Sequence, residues 1–170
     1  MRRLCVILLA AGCLVPAALA APTAVGDGTL SADSVNGVVV VVARGAIWGQ
    51  IDRGSITVLD KDPDLGPAPR VSNFTASQPG VAPGSEIYTG SNLHFQLGGP
   101  GRYRIDLSGS GIDFTAVGAG RARFAGSLKT LSPGTYAVGD QDWLPVAYAG
   151  TPGAISWVAF PGDDTTPSSP

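Results

Sequence analysis

Few side chains in this sequence have the type and spacing that chemistry needs. The densest group is Asp60-Lys61-Asp62-Pro63-Asp64, three carboxylates at alternate positions. Carboxylates so spaced can converge on one hard cation, as at the opening of a calcium loop. The rest of such a loop is missing: its turn glycine would fall at Leu65, with the actual glycine at Gly66, and the place of the bidentate acid holds Val71. Two readings stay open, Ca2+ held by Asp60, Asp62 and Asp64, or an acidic solvated turn.

His94 is the single histidine and Glu86 the single glutamate. Serine hydrolysis would need His94 as base beside an activated serine, and no Gly-x-Ser-x-Gly elbow occurs. Glycoside hydrolysis needs two carboxyl groups of divergent acidity, Glu86 with an Asp such as Asp106 or Asp113. Asp106 alternates outward beside Arg104, which reads more simply as a solvated strand pair. No catalytic residue is nominated on these grounds. Among the three tryptophans, Trp48 beside Gly49 and Trp143 after Asp140-Gln141-Asp142 read as loop-proximal. They are the candidate ligand-binding residues, because an exposed indole on a β module can stack on a sugar ring. Trp157, in the apolar run Ile155 to Phe160, reads as core.

The two cysteines, Cys5 and Cys13, fall within the first 20 residues. That segment has the build of a secretory signal: Arg2 and Arg3, an apolar run Leu4 to Val15, Pro16, then Ala18-Leu19-Ala20 before a cleavage site after Ala20. The apolar run is too short to span a bilayer. Leu9-Ala10-Ala11-Gly12-Cys13 offers a second route, a lipoprotein modified at Cys13. With the signal removed, the chain would carry no cysteine, which excludes disulfides, thiolate metal sites and cysteine nucleophiles. Nine basic residues would then face 13 acidic ones, a formal charge of −4. No basic stripe is visible along the chain, so nucleic acid is not an expected partner.

The elements that must position these residues are strands. Gly and Pro together supply 24 and 14 of the 170 residues, and charged residues make up 14%, a composition that disfavours helices and disorder alike. Twelve Asp against one Glu, and nine Arg against two Lys, favour turns further. Short strands are expected at Thr29 to Ala32, Val38 to Ala43, Ala46 to Gln50 and Ser55 to Leu59. The five consecutive valines suit a central strand covered on both faces. Leu93 to Leu97 and Arg102 to Leu107 alternate with a period of two and read as half-buried antiparallel strands, joined by a Gly98-Gly99-Pro100-Gly101 hairpin or loop. Further strands are expected at Ile112 to Val117, Arg121 to Phe124, Thr135 to Val138, Leu144 to Ala149 and Ile155 to Phe160.

Residues 60–84 hold five prolines and no sustained period, and read as a long loop. A faint repeat relates Val42 through Val58 to Leu107 through Phe124 and suggests internal duplication. The expectation is therefore an all-β antiparallel β-sandwich, jelly-roll or Greek-key-like, of about eight to ten short strands. Its parts are a signal at 1–20, a lead-in at 21–27, one domain at 28–160 and a polar tail at 161–170. The Gly26-Asp27-Gly28-Thr29-Leu30-Ser31 opening, the valine strand and Arg44-Gly45-x-Ile47 resemble exported β-rich proteins of bacteria with GC-rich genomes, a likeness that implies location and no activity. The expected role is a non-catalytic module, structural or binding, in the cell envelope or outside the cell, with possible cell-wall or glycan contact. The alternatives are a carbohydrate- or calcium-binding module and a secreted carboxylate-dependent glycoside hydrolase or lyase.

Overall fold

The computed structural model describes residues 28–151 and 157–160. The signal with its Ala20 cleavage site and Cys13, the lead-in at 21–27 and the tail at 161–170 lie outside the described residues. The strands are β1 (Thr29–Asp60), β2 (Arg70–Pro79), β3 (Ser85–Leu97), β4 (Arg102–Gly126), β5 (Thr135–Val138), β6 (Leu144–Pro145) and β7 (Val158–Phe160). All pairs between them are antiparallel, in the order β2-β3-β1-β4-β7, with β5 against β1 and β6 against β5. The protein is the expected antiparallel all-β sandwich. No helix among the described residues is long and apolar enough to cross a membrane.

The division into strands differs from the expectation. Four short segments between Thr29 and Leu59 run on as the 32-residue β1, and three between Arg102 and Phe124 as the 25-residue β4. Glycines read as breaks are instead bends inside continuous strands. β1 and β4 pair twice, in two registers, so that Val41 lies between Ile105 on one side and Ala122 on the other. The second register sets Gly37 opposite Gly126, Gly45 opposite Gly118 and Gly54 opposite Gly109. At the middle pair the need for glycine is steric. Gly45 and Gly118 have φ of 111° and 129°, and a Cβ on either would run into the carbonyl of Arg44 or Val117 across the ladder.

The consequence appears in the core. Phe114 and Phe124 sit on the same strand, where straight β structure would hold them about 34 Å apart. Their rings stack at 6.3 Å, so β4 doubles back between them, at Gly118. Phe124 stacks in turn on Tyr136 of β5 at 4.7 Å. Leu30, Ile47, Ile51 and Ile112 join Val39, Val41, Ile56, Ile105 and Leu107 in one cluster between the folded faces. The two stretches of the faint repeat thus lie on the two long strands that pair with each other. The Gly-rich turns read into them are strand.

Three further expectations are corrected. Residues 60–84 are not one loop, because Arg70–Pro79 forms the edge strand β2 against β3. Its exposed residues lack apolar alternation, so the pattern hid it, and an edge position accommodates the terminal Pro79. Of the two readings of Gly98 to Gly101, the loop holds and the hairpin does not, since β3 and β4 flank β1 from opposite sides. Tyr103 ties that crossover down by donating to the Gly98 carbonyl at 2.8 Å. Trp157, just before β7, is 41% exposed instead of core, and Phe160 of that strand takes the buried position.

Candidate functional site

Alternation along three strands builds the site. In Ile47-Trp48-Gly49-Gln50-Ile51 the isoleucines are buried, which turns Trp48 and Gln50 outward. Burial of Leu93, Phe95 and Leu97 turns out His94 and Gln96, and burial of Ile112, Phe114 and Ala116 turns out Asp113 and Thr115. Register then aligns these pairs. One row runs Arg70, Gln96, Trp48, Thr115, Ser31 across β2, β3, β1, β4 and the start of β1, and the next runs Ser72, His94, Gln50, Asp113. With strands about 4.8 Å apart the first row spans about 19 Å. Gly49 lies between Phe95 and Phe114 in the layer beneath, where a Cβ would come within 2.6 Å of the Phe114 Cβ. The missing side chain leaves room for Phe114 at that place in the layer.

These rows floor an open groove of about 1060 Å³, with Asp33 and Trp143 on its β5 side. Trp143 arrives on the segment between β5 and β6, and is 52% exposed, Trp48 45%. The two tryptophans proposed from sequence as ligand-binding therefore line the same groove. The polar floor is braced. Asp113 accepts a hydrogen bond from the Ser34 backbone N–H at 2.6 Å and from Gln50 Nε2 at 3.1 Å. Ser34 holds φ 52°, an irregularity beside the register shift between Ala32 and Val35. Through Asp113, this bulge in β1 is locked to the middle of β4.

The acidic turn is arranged differently. Asp60 Oδ1 accepts from the Asp62 backbone N–H at 3.0 Å, and Asp62 Oδ2 accepts from Arg102 N–H at 2.9 Å and Nε at 3.3 Å. Those bonds, the backbone one foremost, hold the Asp62 carboxyl below the usual carboxylate range, with Arg44 adding to the effect. Asp60, Asp62 and Asp64 are not brought onto one point. Among the described residues, no group of three or more His, Cys, Asp or Glu side chains is placed to hold a metal ion. Asp106 pairs with Arg104 through two bonds at 2.9 and 3.0 Å, as its alternation suggested. Glu86, outside the groove, accepts from Tyr88 Oη at 2.8 Å. Burial, reinforced by that carboxylate, pushes the Tyr88 phenol up to about 12.

Sequence reasoning had singled out Trp48, Trp143 and His94 separately and missed Arg70, Gln96, Gln50, Thr115, Ser31 and Asp33 as groove residues. Their outward parity was readable, but the register that aligns them was not. Comparison with family models, with curated proteins and with solved structures finds no match for the chain.

Proposed function

We propose that the protein is an exported, non-catalytic binding module whose groove takes a glycan. The observation that carries this reading is the pair of half-exposed indoles, Trp48 and Trp143, on one groove floored by hydrogen-bonding side chains. A pyranose has apolar faces and a hydroxyl rim. Indole rings stack on the faces, while Gln50, Gln96, His94, Thr115 and Ser31 supply donors and acceptors to the rim. A largely preformed β scaffold limits the ordering cost of such binding.

The chemistry present favours binding over bond cleavage. The Asp113 carboxylate is engaged by Ser34 and Gln50, and the lone glutamate, Glu86, lies elsewhere with Tyr88. Export rests on the segment before Ala20. The test is a panel of neutral oligosaccharides titrated against tryptophan fluorescence. Trp48→Ala and Trp143→Ala should each weaken binding about tenfold or more, the worth of a lost stacking contact. Turnover of any panel glycan that vanishes in Asp33→Asn or Asp113→Asn would replace this reading with a hydrolase.

A further inference from the structure

A second surface lies beside the Gly45–Gly118 bend, where the β1 residues before Gly45 run between two stretches of β4. Val39, Val41, Ile105, Leu107, Ala122 and Phe124 point into the core there, and the alternate side chains take the opposite face, where Val40 is itself covered. Val42 lies between Arg104 and Arg121, Val40 between Asp106 and Arg123, and Arg44 beside Arg102. Five arginines scattered from position 44 to 123 thereby gather on one face of a chain whose overall balance is acidic. The sequence showed no basic stripe because the gathering depends on β4 flanking β1 on both edges.

The five are not equivalent. Arg102 is paired to Asp62 and Arg104 to Asp106, whereas Arg44, Arg121 and Arg123 have no ion pair among the described residues. Arg121 and Arg123 lie over the Trp157 ring, their guanidinium carbons 4.6 and 5.9 Å from its centroid. A guanidinium held over a ring by cation–π attraction spends no N–H on a carboxylate or carbonyl of the protein. The indole thus fixes two cations without consuming their donors.

We propose that this face, through Arg44, Arg121, Arg123 and Trp157, binds a linear polysaccharide bearing carboxylate groups. Guanidinium edges bind carboxylates as two-bond forks. Successive outward rows repeat at about 6.8 Å, two strand residues, and Asp62 and Asp106 interrupt the arginines. Such a surface suits a chain of sparse charge. Duplex DNA presents one charge per roughly 1.7 Å of axis, and binders of single strands stack successive bases on several rings, where the described residues of these rows offer Trp157 alone.

The experiment titrates the purified protein with polygalacturonate, neutral dextran and oligo-dT at low ionic strength. Polygalacturonate should bind, with affinity falling as salt rises, and dextran should not bind this face. Arg121→Gln with Arg123→Gln should weaken polygalacturonate at least tenfold and Arg44→Gln severalfold, with Trp48→Ala unchanged. If the double variant misfolds, Arg44→Gln and amide shift mapping on the wild type carry the test, the shifts expected at 40–44 and 119–125. No binding of polygalacturonate, binding indifferent to these arginines, shifts confined to the groove, or oligo-dT bound as tightly would each overturn the proposal. Because Trp48→Ala probes the groove separately, failure here leaves the groove reading standing, and the converse holds.

Discussion

The acidic turn at Asp60 to Asp64 and the groove around Trp48 are opposite kinds of site. In the turn, the interesting residues are neighbours in sequence, and two of the carboxylates have partners of their own: Asp62 has Arg102, and Asp60 has the Asp62 amide. In the groove, the floor residues come from five stretches of chain and are brought together by register. Closeness in sequence makes an acidic turn a natural home for local capping bonds, which satisfy carboxylates one by one. Convergence across strands needs long-range pairing. Once the sheet forms, that pairing fixes every outward side chain in the row at once.

If register builds the groove, the hinge of the sheet should matter most to it. Gly118→Val places a branched side chain at φ 129° against the Arg44 carbonyl. It should cost about 3 kcal/mol or more in urea unfolding and abolish glycan binding with it. Gly98→Ala, near the acidic turn, has no atom within 4 Å of the added Cβ and should stay within about 0.5 kcal/mol of wild type. Equal stability of the two variants would sink the idea that the Gly45–Gly118 corner is what brings the groove's strands together.

A smaller effect is expected at the brace. Asp113→Ala removes the acceptor of the Ser34 N–H and of Gln50. Loss of a charged acceptor should destabilise by about 1–2 kcal/mol. It should also loosen the Ser34 bulge, seen as faster amide hydrogen exchange from Asp33 to Val35. Unchanged exchange there would mean that the β1 irregularity holds itself, without β4.

What could be read from the sequence follows the same division. Strand type and face were legible wherever apolar residues alternate, as in Leu93 to Leu97 and Arg102 to Leu107, because burial itself imposes that pattern. The lengths of β1 and β4 were not. Glycine marks a break and a bend alike, and only the facing strand decides between them. β2 was invisible for a different reason. A strand at the sheet edge with both faces wet has no apolar period to show. The groove was half legible: His94 was outward by parity, whereas Trp48, read as loop-proximal, stands inside β1, and their place in neighbouring rows depends on pairing β1 with β3 across some 40 residues of intervening chain. The same holds for the arginine face, whose members are separated by the whole excursion through β2 and β3.

The smallest expected effect belongs to Asp62, and it tests the local side of the comparison. Its carboxyl is held below the usual range chiefly by the Arg102 backbone N–H; burial opposes this, and the Arg102 side chain and Arg44 add smaller downward effects. A depressed folded value means the unfolded chain takes up the proton first as pH falls. The contribution is therefore complete above the ordinary value of 3.8 and is lost as pH drops below it through the lower folded value. The group lies at the surface, so solvent and salt screen the pair. Asp62→Asn should leave the neutral-pH unfolding midpoint within experimental scatter, flatten the acid limb slightly, and shift the Arg102 amide resonance. It should leave glycan binding in the groove untouched. A groove weakened by Asp62→Asn would show that the turn and the rows are coupled through β4, whose first residue is Arg102, and that the line drawn between local and convergent sites is in the wrong place.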